Sequence, residues 1–376
     1  MVSYISAIGT AVPQYRIAQR DIADFMTQTL SLSAGEQQRL RALYRASGIA
    51  YRHSVIPDYG RTQDFTFFPN TPDLSPFPGV RQRMQLYREE AIRLSMAAAL
   101  DCFAQIPDLP RSKITHLLYV SCTGLYAPGV DITLVQQLGL SAHVQRTAIN
   151  FMGCYAAFNA LKLADSIVRA DPDAKVLIVC TELCTIHFQQ NQDADTLLAN
   201  ALFADGAAAT VVSQERLHNV QFSLDQFHCD LVPDGQNDMA WEVGPTGFEM
   251  KLSAYVPTLI EREVQQVVQR LMRQLLDDGK SAKPMQHDRL AVDYYAVHPG
   301  GKRILRAIEE MLELPEGSNR PAYEVLRNYG NMSSPTILFV LRALQRSLTT
   351  ADRHKRVLGL AFGPGLTIES MLLHVA

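Results

Sequence analysis

Five nearly continuous apolar runs stand out along the chain: Ile114–Cys122 (ITHLLYVSC), Val176–Cys180 (VLIVC), Ala207–Ser213 (AAATVVS), Tyr294–Val297 (YYAV) and Val357–Phe362 (VLGLAF). None alternates strictly between apolar and polar residues. Such runs predict strands buried on both faces, as in parallel or mixed sheets covered by helices. Between them, apolar residues recur at helical spacing over Leu86–Ala104, Cys154–Ala170, Val256–Leu276, Gly300–Leu312 and Pro335–Leu348. Strands alternating with helices predict an α/β layered fold. The alternation falls into two blocks, 1–214 and 215–376, so a duplicated half with one site at the seam is expected. The Pro-, Asp-, Thr- and Phe-rich stretch Asp58–Val80 reads as a long surface excursion, not a domain boundary.

Composition narrows the function classes. Of 376 residues, 47% are hydrophobic and 19% charged, which supplies a large core and excludes general disorder. The formal net charge is −3, from 35 basic and 38 acidic residues, so no global basic field for nucleic acid exists. No apolar run approaches the roughly 20 residues that span a bilayer. Met1–Val12 lacks a basic segment followed by a long apolar one, so no secretory signal is expected. Six cysteines make no disulfide framework and fit a reducing cytoplasm.

Three residues carry candidate chemistry. Cys154 lies in AINFMGCYAAF (148–158), where Gly153 permits a tight turn and an Ala-rich helix follows. A thiol on a first helical turn is expected to gain thiolate character from the free backbone N–H groups and the helix dipole. The competing interpretation is a buried, inert cysteine. His298 ends the apolar run Tyr294–Val297 and precedes Pro299-Gly300-Gly301, at a strand end where α/β sites open. A carbonyl-bonded strand-end histidine is the alternative. Asn331, in NYGNMSSP (328–335), is either a turn residue or a neutral hydrogen-bond donor. Cys180 and Cys184 lack further ligands at metal-binding spacing, and Cys102, Cys122 and Cys229 read as filler. Together Cys, His and Asn point to acyl transfer through a thioester.

The segments Met152-Gly153-Cys154, Val297-His298-Pro299-Gly300-Gly301, Gly330-Asn331-Met332-Ser333-Ser334-Pro335 and Gly359–Gly365 (GLAFGPG) resemble, in order and spacing, the type III polyketide synthases, the chalcone synthase-like family of thiolase fold. Ala201–Ala208, Cys180-Thr181-Glu182 and Tyr126-Ala127-Pro128-Gly129 add to the resemblance, which covers nearly the whole chain. It implies a thiolase-like duplicated αβαβα fold with two mixed β-sheets. The first half (1–214) would supply the nucleophilic Cys, the second (215–376) the His and Asn. It also implies a homodimer without metal or prosthetic group. Cys154 would hold the growing acyl chain, while His298 and Asn331 bind the malonyl-CoA thioester carbonyl, favour loss of CO₂ and stabilise the enolate.

By the same resemblance Phe203 is an aromatic gatekeeper and Met250, or in another register Phe248, the second. Gly363, Pro364 and Gly365 would bring backbone close to the cyclising chain. Coenzyme A is expected near the basic cluster Arg39, Arg41, Arg45 and Arg52, with Lys302 and Arg303 also candidates, against the alternative of a solvated helix face. Ala127 stands where plant enzymes carry a Met reaching into the partner subunit. It is a substrate-cavity position by the same resemblance, as are His187, where Thr is common, Ala199, where Gly is common, and the retained Ser333. These departures resemble bacterial members, so a fatty acyl starter and an alkylpyrone or alkylresorcinol product are expected. The alternatives are a chalcone- or tetrahydroxynaphthalene-type product, a ketoacyl synthase III-type enzyme, and an inactive scaffold subunit.

Overall fold

The computed structural model describes residues 2–218, 221–236, 238–253, 255–277 and 292–376. The first sheet contains β1 (Ser3–Ala11), β2 (His116–Ser121), β3 (Gln145–Asn150), β4 (Val176–Leu183) and β5 (Asp205–Ser213), in the spatial order β1-β5-β4-β2-β3. β2 runs parallel to β3 and β4, and β5 is antiparallel to β4 and β1. The second sheet contains β6 (Phe222–Leu231), β7 (Tyr294–Val297), β8 (Arg356–Gly363) and β9 (Thr367–Val375), in the order β7-β8-β9-β6. Here β7 and β8 are parallel and the remaining pairs antiparallel. A short ladder, Ser3–Ile5 against Phe222–Leu224, joins the two sheets edge to edge, so the hydrogen bonding is continuous over nine strands.

Helices Ala156–Ala170 and Thr336–Ser347 touch strands of both sheets and form the central layer. Small side chains allow this: Ala156, Ala160 and Ala164 are fully buried, so the first helix approaches strands closely. Helix Val80–Phe103 covers the outer face of the first sheet, Val256–Asp277 packs on the second, and Lys302–Met311 packs against Val256–Asp277. The expected αβαβα layering with two mixed sheets is therefore present. Every residue of β4 and β5 is buried, which is why these strands read as unbroken apolar runs.

Asp58–Val80 runs mostly over the surface, as expected, but is anchored to the core: the fully buried Asp58 carboxylate accepts the N–H groups of Thr66, Phe67 and Phe68, and Phe68 and Leu74 are core residues. Strands β1, β3, β6 and β9 carried no continuous apolar run. β3 (QRTAIN) is a mostly exposed edge strand, so burial left no pattern there.

Candidate active site

Cys154 sits on a 3-10 turn, Gly153–Tyr155, between β3 and the central helix Ala156–Ala170. The chain enters through two left-handed residues, Phe151 (φ 57°) and Gly153 (φ 74°). A Cβ on Gly153 would lie 2.4 Å from Pro364 Cδ, so only glycine lets the two segments meet. Gly153 N–H also donates to Cys122 Sγ at 3.1 Å. His298 leaves β7, its N–H bonded to Leu360 O at 2.8 Å. Asn331 follows helix Arg320–Tyr329, and its side-chain Oδ1 accepts Ser333 N–H at 2.8 Å. That bond orients the amide, leaving Nδ2 as the donor toward Gly300 O (3.4 Å) and Cys154 Sγ (3.9 Å).

The three side chains line one chamber of about 30 Å³. Burial pushes the Cys154 thiol up to about 11, against hydrogen bonds from Ser333 and Asn331, and pushes the His298 imidazole down to about 3. Burial therefore favours the uncharged form of both groups and works against the thiolate character expected from the helix terminus. Neither ring nitrogen of His298 makes a well-formed hydrogen bond to another described residue, though the nearby Asn331 side chain works against the downward push of burial. Beside the chamber, fully buried Glu182 accepts Cys122 N–H (2.9 Å), Thr123 Oγ1–H (2.8 Å) and Ser334 Oγ–H (2.7 Å). Burial raises its carboxyl to about 7.

Two further spaces flank the chamber. On one side lies a groove of about 580 Å³, which shares the lining residues Leu252, Gly300 and Ile304 with it. On the other lies an inner cavity of about 160 Å³, separated by Cys184, Phe203, Trp241 and Met250. Helix Ala194–Leu202 is the wall between groove and cavity. Leu197, Leu198 and Leu202 face the groove; Thr196, Ala199 and Asn200 face the cavity.

The family model for chalcone and stilbene synthases, N-terminal domain, matches residues 2–216, and that for the C-terminal domain matches 223–376. The chain belongs to the chalcone and stilbene synthases, the type III polyketide synthase family. It is 31% identical over 378 residues to the "alpha-pyrone synthesis polyketide synthase-like Pks18" of Mycobacterium tuberculosis, covering 100% of this chain and 91% of that protein. It is 28% identical over 380 residues to type III polyketide synthase A of Arabidopsis thaliana (98% and 91%). The type III domain of Dictyostelium Steely1 superposes with a TM-score of 0.88 at 26% identity, covering 100% of this chain and 99% of that one. PKS-I of the brown alga Ectocarpus siliculosus superposes with 0.88 at 28%, covering 100% and 98%.

Within this type III framework, Phe203 and Met250 stand together on the partition, whereas Phe248 lies in the cavity wall stacked on His187, with centroids 4.2 Å apart. The geometry thus favours Met250 over Phe248 as the second partition residue. His187 is buried and its tautomer is fixed: Nε2 donates to Thr123 O at 2.7 Å and Nδ1 accepts Phe248 N–H at 3.0 Å. Ala199 faces the cavity, and Ser333, in a left-handed conformation (φ 57°), faces the chamber. Of the Gly-Pro-Gly loop only Pro364 lines the chamber; Gly363 packs against Tyr155, and Gly365 (φ 117°) turns toward Thr367. Ala127 is exposed and lines none of these three spaces.

The basic cluster divides. Arg39, Lys302 and Arg303 line the groove. Arg41 instead pairs with Asp24 at 3.0 Å, and Arg45 is exposed outside the groove lining. Arg52 is 3% exposed and holds Gln19 Oε1, Asn200 O and Phe203 O, so it braces the partition from within and does not meet the groove. Sequence reading missed Trp241, whose Nε1–H donates to Cys122 O at 2.7 Å, and gave Glu182 no role. Being the single tryptophan of the chain was the one available signal for Trp241. Among the described residues, no three His, Cys, Asp or Glu side chains are grouped to hold a metal ion, and no helix is long and apolar enough to cross a membrane.

Proposed function

We propose that this chain condenses malonyl-CoA, by iterated decarboxylation, onto an acyl starter carried on Cys154, and releases a pyrone or aromatic ring. As Cys154 attacks the acyl-CoA carbonyl, its thiol proton passes to neutral His298; the C–S bond to CoA breaks and CoA leaves as a thiol. Malonyl-CoA then loses CO₂, and the electron pair of the broken C–C bond becomes an enolate. His298 and the Asn331 amide donate to the enolate oxygen. The enolate carbon attacks the Cys154 thioester carbonyl, forming a C–C bond and expelling the Cys154 sulfur. The lengthened β-ketoacyl-CoA returns to Cys154 for the next round.

The carrying observation is the convergence of Cys154, His298 and Asn331 on one chamber, which adjoins a groove lined by Arg39 and Lys302. In this reading residues 1–214 supply the nucleophile and 215–376 the two donors. The exposed edge strand β3, with exposed Ala127 nearby on the loop after β2, supports a homodimer in which the edge is covered by a second copy. Six free thiols support a reducing, cytoplasmic setting. The test is incubation of wild type and Cys154→Ala with malonyl-CoA and acyl-CoA, with products identified by mass. Extension by wild type alone is expected; normal products from the variant would reject the nucleophile.

A further inference from the structure

We infer that this enzyme takes a short starter, of about two to six carbons or one ring, and that its inner cavity houses the oxygenated chain, not an alkyl tail. This inference deepens the condensing reading above and rests on it. It replaces the fatty acyl starter expected from sequence.

Size is the first argument. The chamber around Cys154 is small, at about 30 Å³, and leaves no room for an acyl chain within it. An acyl group on Cys154 therefore extends past Phe203, Trp241 and Met250 into the inner cavity. That space, about 160 Å³, matches a cavity that holds one benzene. Three interlocked side chains form its inner wall. His187 lies flat on Phe248, their planes 9° apart, and Trp241 meets both edge-on. Hydrogen bonds from Trp241 and His187 to the carbonyls of Cys122 and Thr123 pin this wall, so a longer chain does not easily displace it.

Chemistry is the second argument. The wall carries a buried cation and neutral hydrogen-bonding groups: Arg52, Ser54, Thr185, Gln189 and Asn200. Most of these groups are already paired within the protein, Ser54 Oγ with Thr185 Oγ1 and Gln189 Oε1 with Thr246 Oγ1 among them, but the buried Arg52 Nη2 has no partner among the described residues. An alkyl chain leaves that N–H group unpaired, whereas a chain of alternating carbonyls and enols offers an oxygen at every second carbon. The outward end of the cavity is lined by Asn191 and Glu249, both exposed. Methylenes emerging there stay in water and gain nothing from burial. The apolar surface near the site lies on the other side of helix Ala194–Leu202, where Leu197, Leu198, Leu202, Val256 and Ile304 line the entrance groove. That surface precedes the thioester and does not reward tail length once the acyl group is on Cys154.

The test uses the purified full chain with malonyl-CoA and, separately, acetyl-, butyryl-, hexanoyl-, decanoyl- and palmitoyl-CoA. Extension kcat/KM is measured by quantifying products by mass. The highest kcat/KM is expected between acetyl and hexanoyl, with no gain beyond. A rise of roughly fourfold per added methylene from hexanoyl to palmitoyl, the increment of full burial, would overturn the inference. Extended products from short starters only would support both readings. Absence of extended product from every starter would overturn the condensing reading itself, and this inference with it.

Discussion

Phe203 and Asn331, from opposite halves of the chain, are paired backbone to backbone. Asn331 N–H donates to Leu202 O at 3.0 Å and Ala204 N–H donates to Asn331 O at 2.8 Å, a parallel bridge around Phe203. The partition and the carboxamide thus share one rigid connection that does not involve the Asn331 side chain. Asn331→Ala keeps this bridge and removes only the amide. Malonyl-CoA decarboxylation, followed as CO₂ release, is expected to slow by roughly 10²–10³, the usual effect of losing one donor to a developing oxyanion. Stability is expected to fall by about 1–3 kcal/mol, because the buried Ser333 N–H loses its acceptor while the bridging N–H and C=O remain. An unaltered rate would remove Asn331 from the mechanism.

The turn that presents Cys154 is equally specific. Gly153 has φ 74° and faces Pro364 with no room for a methyl group. Gly153→Ala is expected to cost about 1–2 kcal/mol for the left-handed backbone alone, and more for the contact. Pro364→Gly in the same chain relieves the contact but not the backbone term. The double variant should therefore recover part of the loss, read as a positive coupling in urea-denaturation midpoints. Simple additivity would mean that the two segments do not bear on each other.

How much of this was legible in sequence depended on burial pattern. β4 and β5 are buried on both faces and announced themselves as apolar runs; β3 is exposed along its length and did not. Cys154, His298 and Asn331 were found because each adjoins a glycine turn at an element end, and the structure brings them into one chamber. The protonation of the site was not legible, since it follows from enclosure by side chains remote in sequence. Neither was the division of the basic cluster: Arg39 and Arg52 look alike as letters, yet one lines the groove and the other is locked into the partition by Gln19, Asn200 and Phe203. Trp241 became a wall residue only through a hydrogen bond to backbone 119 positions away, whereas His187, placed at the cavity by the resemblance, does line it.

That division of the arginines is measurable. Arg39 and Lys302 line the groove through which a polyanionic CoA would pass; Arg41 is paired to Asp24 elsewhere. Arg39→Ala and Lys302→Ala are each expected to raise KM for malonyl-CoA roughly two- to fivefold, the size of one exposed ionic contact, with kcat little changed. The effect should fade as salt rises from about 0.05 to 0.5 M. Arg41→Ala should leave KM near that of wild type. An equal rise for all three would point to a diffuse field in place of specific contacts.

Glu182 makes stability depend on pH with a definite sign. Its carboxyl rises from 4.5 in the unfolded chain to about 7 in the folded one, because burial penalises the charge. Below pH 4.5 the group is protonated in both states and imposes no penalty. As pH rises from 4.5 through 7 the unfolded state ionises first, and stability is lost, by about 3 kcal/mol in full at about 1.4 kcal/mol per pH unit. Asp205, raised from 3.8 to about 6, slopes the same way. His187 and His298, both depressed from 6.5 to about 3, slope oppositely: their contribution is present above 6.5 and lost as pH falls toward 3. Glu182→Gln removes only the first of these dependences. Urea unfolding of wild type and variant at pH 5 and pH 8 should therefore show the variant gaining on wild type as pH rises, whatever its absolute stability. Two curves that stay parallel over that window would mean that Glu182 keeps an ordinary carboxylate pKa and that its four-way hydrogen bonding to Ser121, Cys122, Thr123 and Ser334 offsets its burial completely.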